Sequence, residues 1–347
     1  MKNLVLFYEP DLQAALEDIP VPEYDDNEVL IKVVAAGSNP KDWKHPGPAY
    51  FDNRLNQGDD VGGMVEAVGK NVKNFKKGDR VAGFHVMDTP RGTYAEYSVC
   101  PEHTVFHIPD SMSHEEAATI PLAAYTAAVG LFRSLDLPMP TGRKDEAAGL
   151  LKVPLIVNGA ASAVGAYAVK LAKLNPRIYP IIGLAGGSAK YAKEIGCDFV
   201  VDYRSADVTG DLRKALNGQS VRHVFDATNT ITSMKNILPV VEGSTGRYII
   251  TEVVRDEEKA LFTKYNVWGE QVWVGGVHDD KPVGGQMFGA IMSRIFEWSL
   301  AQGTFSGQPH TLVEGGLNGV LGALIQLRDR KGGNTKFVTR IADTKEF

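Results

Sequence analysis

From about Leu151 to Gly276 the chain repeats one pattern: a short apolar run, a turn of small residues, then an amphipathic stretch. No other feature restricts the fold as much. Apolar runs buried on both faces belong in parallel strands, and parallel strands need helical crossovers between them. Six runs are expected to be strands: Leu155–Asn158, Ile178–Gly183, Phe199–Val201, His223–Asp226, Arg247–Thr251 and Gln271–Val274. Their alternation with helical stretches predicts a doubly wound parallel sheet covered on both faces. The polar stretch Met139–Gly149 ahead of them reads as an exposed loop.

The preceding third has a different character. Val29–Ala36 is a β-branched run that ends in Gly37, as a buried strand would. A Pro/Gly/Asn-rich loop from Asn39 to Gly58 leads into Gly62–Gly69, and Arg80–Phe84 follows Lys77-Gly78-Asp79. Short strands punctuated by Gly and Asp predict a barrel-like β domain. Ser113, with Glu116 three residues on, reads as a capping box opening a helix over His114–Ile120. Near the end, helices are expected around Met287–Gln302 and Leu317–Leu327, and a last strand at Lys336–Ile341.

A chain of 347 residues is expected to form two domains. The boundaries read as 1–125 with 280–347 for the β-rich domain, and 126–279 for the parallel sheet. The formal net charge is −5, and no Lys/Arg stripe stands out, which argues against nucleic acid. No stretch approaches the roughly 18–20 apolar residues of a membrane span. Met1–Pro10 lacks the basic start and small-residue cleavage site of a signal peptide. Two cysteines cannot build a disulfide framework. A cytoplasmic protein is expected.

The segment from Leu155 to Lys173 carries the chemistry. An apolar strand runs into Asn158-Gly159-Ala160-Ala161-Ser162-Ala163-Val164-Gly165 and then into an amphipathic helix. Small side chains there let backbone N–H groups approach a pyrophosphate at the helix N-terminus, where the dipole favours negative charge. The strict G-x-G-x-x-G spacing is absent, and tight strand–helix packing alone can ask for the same residues. About 20 residues on, an NAD-binding protein places Asp or Glu for the ribose 2′-hydroxyl. Here the chain reads Ile182-Gly183-Leu184-Ala185-Gly186-Gly187-Ser188, followed by Lys190, Lys193 and Asp202-Tyr203-Arg204. Such groups suit a 2′-phosphate and point to NADPH over NADH. The lysines also read as solvated helix residues.

Gly58-Asp59-Asp60-Val61-Gly62-Gly63-Met64-Val65-Glu66-Ala67-Val68-Gly69, with Phe75-Lys76-Lys77-Gly78-Asp79-Arg80-Val81, resembles the signature of medium-chain dehydrogenases/reductases. Gly92–Tyr97 matches the next block of that family, Asn158–Lys173 its nucleotide turn, and Gly315-Gly316-Leu317 with Lys336-Phe337-Val338 its closing segment. Within the family the chain is similar to zinc-free quinone oxidoreductases and to fungal trans-acting enoyl reductases. The resemblance implies an α/β fold: a GroES-like β-rich catalytic domain made from both chain ends, plus a Rossmann doubly wound parallel-sheet domain. A monomer or homodimer is implied too. Two central glycines of the quinone-reductase turn stand here as Ser162 and Ala163. The change costs backbone freedom, though Ser162 could offer its hydroxyl to a phosphate. Cofactor binding is thereby carried onto Asn39, Gly159, Ala161, Ser162, Ala163, Val164, Ser188, Lys193, Tyr203, Thr228, Gly276, Val277 and Lys336. The backbone of Gly276 and Val277 is expected near the nicotinamide.

Zinc is not expected. Where zinc-bearing relatives carry Gly-His-Glu the chain has Gly58-Asp59-Asp60, and Ala36-Gly37-Ser38-Asn39 lacks the cysteine after the strand. His85, His103, His107 and His114 show no ligand spacing. The chemistry left is conjugate hydride transfer from NADPH to an enone, an enoyl thioester or a quinone, with fixed donors for the oxygen that gains charge. The resemblance puts Asn39-Pro40-Lys41-Asp42-Trp43-Lys44 at the substrate cleft. Lys44 is then a candidate donor, or else a solvated loop lysine, while Asn39 and Asp42 fix the loop. The resemblance makes Tyr50 a second candidate donor and a candidate proton source. Thr126 matches a position beside the nicotinamide, or is an ordinary helix threonine. Trp43, Phe51, Trp273 and Phe288 supply an apolar wall or belong to the core. Two other functions fit the same residues: a zinc-independent NADPH aldehyde reductase, and a non-catalytic NADPH-binding sensor or partner protein.

Overall fold

The ten residues from Glu28 to Gly37 make the longest strand of the protein, and the β-rich unit is assembled around it. The computed structural model describes residues 1–47, 54–140, 150–280, 284–331 and 335–345. It divides into two compact units, Met1–Leu122 with Gly275–Phe347, and Ala123–Val274. Seven strands come first: β1 (Lys2–Tyr8), β2 (Leu12–Asp18), β3 (Glu28–Gly37), β4 (Asp60–Val68), β5 (Arg80–Phe84), β6 (Tyr97–Pro101) and β7 (Val105–His107). Six belong to the second unit: β8 (Val153–Asn158), β9 (Ile178–Leu184), β10 (Phe199–Val201), β11 (His223–Asp226), β12 (Arg247–Ile250) and β13 (Trp268–Gln271). The chain then returns to the first unit with β14 (His310–Val313) and β15 (Lys336–Arg340).

In the first unit β1 and β2 form an antiparallel pair, and the main sheet runs β14-β15-β3-β4-β5-β7, with β6 on β3. The β3–β4 ladder reaches from Val29 opposite Val68 to Gly37 opposite Asp60, with two register shifts. Such irregularities sharpen twist and let a sheet curl. Ile31, Val33, Ala36, Val61, Val65 and Val81 fill its core with Leu317, Val320 and Leu324 from the C-terminal segment.

The second unit is a six-stranded sheet ordered β10-β9-β8-β11-β12-β13, parallel throughout. Counted from its first strand, this is the order 3-2-1-4-5-6, and the direction of winding reverses between β8 and β11. Ile156, Ile182, Val224, Tyr248 and Ile250 from the sheet pack with Leu212, Met234 and Phe262 from helices.

Several expectations need correction. The sixth parallel strand is Trp268–Gln271 rather than Gln271–Val274. The Val272 N–H still bonds the Ile250 carbonyl, but Val274–Val277 then coils into a 3-10 turn. Val272-Trp273-Val274 is apolar and Trp273 alone is exposed, so burial alternates there without a ladder. The helix opened by Ser113 stops at Ala117, and the box is only half formed. Ser113 accepts the Glu116 N–H, whereas the Glu116 carboxylate takes the N–H of Gly307 at 3.0 Å. The loop after Asn39 contains a five-residue helix, Pro40–Lys44. The expected C-terminal helices are Gly285–Ala301 and Val320–Arg328, the second entered through a 3-10 turn at Gly316–Gly319.

Candidate functional site

In the second unit, β8 hands over to the helix Ala163–Lys173 through a turn that only small residues can make. Gly159 has φ +72°, and a Cβ there would lie 2.5 Å from the methyl of Thr228. A Cβ on Gly165 would run into the carbonyl oxygen of Gly159. Both positions therefore require glycine. Ser162 is the N-cap, its Oγ accepting the Gly165 N–H at 3.2 Å. Ser162 thus closes the turn on itself. The Ala160 N–H bonds the Leu184 carbonyl and ties the turn to β9. Ala161 and Ala163 add no bulk beyond Cβ, and Val164 follows them in the first turn of the helix. An eleven-residue helix whose first N–H groups have no acceptor within the helix, and whose dipole is positive at that end, suits a pyrophosphate.

Beside the turn lies a buried carboxylate. Asp226, at the end of β11, is fully buried. Its Oδ1 accepts from Asn158 Nδ2 (2.8 Å), Thr228 N (2.8 Å), Asn229 N (3.0 Å) and Thr228 Oγ1 (3.0 Å). Its Oδ2 accepts from the hydroxyl of Tyr248 at 2.6 Å. The structure so brings Gly159, Ser162 and Thr228 together.

The residues expected near the 2′-phosphate are only partly assembled. The ring of Tyr203 packs on Gly186, where a Cβ would be 2.8 Å from it, and Tyr203 is otherwise exposed. Ser188 is the N-cap of Ala189–Glu194, and its hydroxyl makes no capping bond. Lys193 sits in the last turn of that helix, where its ammonium donates to the Asp198 carbonyl. It is not placed with Ser188. Arg204 is clamped on Asp202 by bonds of 2.9 and 2.7 Å, and this holds the Asp202 carboxyl down at about 2.

In the first unit, Asn39 and Lys336 meet, although 297 residues separate them in sequence. Asn39 Nδ2 donates to Asp60 Oδ2 (2.8 Å), and Lys336 Nζ reaches both Asn39 Oδ1 (3.1 Å) and the same Asp60 oxygen. The Leu122 N–H holds Asp60 Oδ1 at 2.6 Å. Next to this set is a second one that sequence reasoning missed. Lys41 Nζ lies 2.6 Å from Asp59 Oδ2, 3.1 Å from Gln57 Oε1 and 3.8 Å from Asp42 Oδ1. His85 stands between two acceptors, Asp59 Oδ1 (3.0 Å) and the Pro90 carbonyl (2.9 Å). Asp42 Oδ2 accepts from Tyr94 OH (2.7 Å) and from the Asn39 N–H (2.8 Å).

These groups divide the charge unequally. Burial raises the carboxyl of Asp42 to about 7, against the pull of Lys41. Burial also opposes charge on Asp59, but Lys41 and His85 bring its carboxyl below the ordinary range. Burial works against the Lys41 ammonium too, yet Asp59, Asp42 and Asp88 keep it above its ordinary range. The contact pair Lys41–Asp59 is ionic, and Asp42 is the carboxyl of the set whose protonated form burial favours.

Lys44 ends the five-residue helix, half-buried, with its ammonium 5.5 Å from the ring of Trp43. Thr126 is buried in the helix Pro121–Ala128. Gly276 and Val277 lie in the 3-10 turn after β13. Trp43 and Phe288 are half-buried and Trp273 is exposed. Tyr50 and Phe51 lie outside the described residues. Among the described residues, no group of three or more His, Cys, Asp or Glu side chains is arranged for a metal ion.

Residues 25–110 match the alcohol dehydrogenase GroES-like domain, and residues 163–278 the zinc-binding dehydrogenase domain. A trans-enoyl reductase of Gibberella fujikuroi, fsr4, is 36% identical over 310 residues, which is 87% of this chain and 88% of that protein. The chain belongs to the medium-chain dehydrogenase/reductase family. A second trans-enoyl reductase, resD of Aspergillus sclerotiorum, is 30% identical over 362 residues, covering 96% of this chain and 98% of its own. Among solved structures, a mycobacterial protein complexed with NADPH matches with a TM-score of 0.72 at 22% identity, over 98% of this chain and all of that one (100%). The expected fold class, a GroES-like β-rich domain with a Rossmann parallel sheet, is the one observed. As a medium-chain dehydrogenase/reductase, the protein is an oxidoreductase.

Proposed function

We propose that this protein is an NADPH-dependent, zinc-independent enoyl reductase, acting on an α,β-unsaturated carbonyl compound such as an enoyl thioester. The observation that carries the reading is the 36% identity to a trans-enoyl reductase over nearly the whole chain. NADPH, when bound, supplies the hydride. The turn at Gly159–Gly165 and the helix that Ser162 caps hold its pyrophosphate, and Ser188 with Tyr203 takes the 2′-phosphate. The segment Ile182–Ser188, where an NAD-binding protein places an acid, carries no carboxylate to repel a phosphate. Arg204 is neutralised by Asp202 and contributes little.

Independence from zinc is supported by the ammonium of Lys41. It sits on Asp59, the residue standing where zinc-bearing relatives place a histidine ligand, and a buried cation there competes with a metal. Lys44 or Tyr50 then stabilises charge on the carbonyl oxygen of the substrate, as a fixed donor must when no metal polarises it. Thr126 orients the nicotinamide end of the cofactor. Asn39 and Lys336, committed to Asp60, shape the segment that carries Lys44. The reaction is placed in the cytoplasm, in a monomer or homodimer.

The test is oxidation of NADPH at 340 nm against an enoyl thioester, a conjugated enal, a quinone and a saturated aldehyde, each repeated with NADH. Turnover of the conjugated substrates with NADPH preferred supports the reading. Turnover of the saturated aldehyde alone would replace it with an aldehyde reductase. Tight NADPH binding without any turnover would leave a cofactor-binding partner protein.

A further inference from the structure

A carboxylate buried without a cation is costly unless hydrogen bonds replace its hydration. Among the described residues no ion pair is made by Asp226, yet it is fully buried and takes five hydrogen bonds. It stands at the end of β11, beside β8, where the winding of the sheet reverses and where open parallel sheets bind their ligands. The bonds form a consistent set. One hydrogen of the Asn158 amide goes to Asp226, and the other goes to the Thr228 hydroxyl at 2.6 Å. That hydroxyl in turn donates to Asp226. Asn229 carries the chain of bonds to the end of β12 through Thr251. At the outer end, the methyl of Thr228 closes over Gly159.

We propose that Asp226 is the positioning residue of the dinucleotide turn: it locks Asn158 and Thr228, the two residues that flank Gly159, and so fixes the backbone of the turn that meets the cofactor. This rests on the dinucleotide reading above. A carboxylate suits the task because a single oxygen collects two backbone N–H groups, an amide and a hydroxyl. Tyr248, wholly buried, anchors the opposite oxygen and cannot itself touch a ligand.

The test measures the Kd for NADPH by its fluorescence, together with thermal melting, in the full-length protein and three variants. Asp226→Ala removes every acceptor and is expected to weaken NADPH binding about tenfold or more. Asp226→Asn keeps an oxygen for the four donors and turns its amide toward the Tyr248 oxygen, so binding should return to within about threefold of wild type. Tyr248→Phe should weaken binding about threefold, with kcat at saturating NADPH unchanged. If Asp226→Ala fails to fold, the Tyr248→Phe and Asp226→Asn pair still decides. Asp226→Ala or Tyr248→Phe binding NADPH as wild type does would overturn the positioning role alone. Failure of Asp226→Asn to restore binding would overturn it too. A wild-type protein that binds no NADPH would sink the dinucleotide reading, and this role with it.

Discussion

Both units bury carboxylates beside their candidate binding residues, but they neutralise them by different means. In the first unit the partners are cations: Lys336 on Asp60, and Lys41 on Asp59. In the second, Asp226 is held by amides, hydroxyls and backbone N–H groups alone, among the described residues. The difference follows from topology. Asp60 and Lys336 lie 276 residues apart in sequence, and their pair fastens the closing strand β15 to the sheet begun by the N-terminal half. Asp226 has only to join the ends of neighbouring parallel strands, where backbone donors are already at hand. Charge in the first unit binds remote segments, whereas dipoles in the second tune a local turn.

The largest effect that could break this comparison is at Lys336. Changing Lys336→Met strands a buried Asp60 with only an amide and a backbone N–H, and is expected to cost about 3–5 kcal/mol in urea unfolding. A loss below about 1 kcal/mol would show that Asp60 does not depend on its cation. Lys41→Met should cost less, about 2–3 kcal/mol, because His85 stays on Asp59. A loss equal to that of Lys336→Met would remove any buffering role for His85.

A pH series sharpens the contrast. The carboxyl of Asp42 titrates near 7 in the folded chain and near 3.8 when unfolded. Between those values the folded state keeps a proton that the unfolded state has lost. Its contribution is therefore complete below about 3.8 and is lost as pH rises through about 7. Asp42→Asn removes that dependence. Measured by urea midpoint, the variant should gain stability relative to wild type on going from pH 5 to pH 8. A difference that stays flat would mean that Asp42 is ionised beside Lys41.

How much of this was legible in the sequence depended on how local the cause was. The turn from Asn158 to Gly165 was readable because strand, glycine and helix follow one another directly. The strands β8 to β12 were readable from apolar runs. The sixth was misplaced because the apolar run Val272-Trp273-Val274 looks like a strand, while the ladder on β12 ends at Gln271 and Val274–Val277 coils into a 3-10 turn. Asn39-Pro40-x-Asp42 has the N-cap, first-turn proline and third-position acid of a helix start, but five residues carry too little periodicity to stand out from a loop. Lys41 went unnoticed beside Lys44, since its burial depends on Gln57 and Asp59, which lie well beyond the short helix in sequence. Lys193 was assigned to a phosphate from its charge, whereas its place in the last turn of its helix, donating to the Asp198 carbonyl, is set by the fold.

The smallest expected effect tests the second unit at Ser162, the N-cap of the helix Ala163–Lys173. Ser162 caps the helix through Gly165, and glycine is nearly as good an N-cap as serine. Ser162→Gly should therefore cost only a few tenths of a kcal/mol in thermal or urea unfolding. NADPH affinity should stay within about twofold, because the hydroxyl is turned to the Gly165 N–H and the helix N–H groups remain. A drop of about tenfold in affinity with unchanged stability would mean that the Ser162 hydroxyl leaves its cap to bind phosphate directly. The turn would then depend on a side chain as well as on backbone dipoles, and the contrast between the units would narrow at that point.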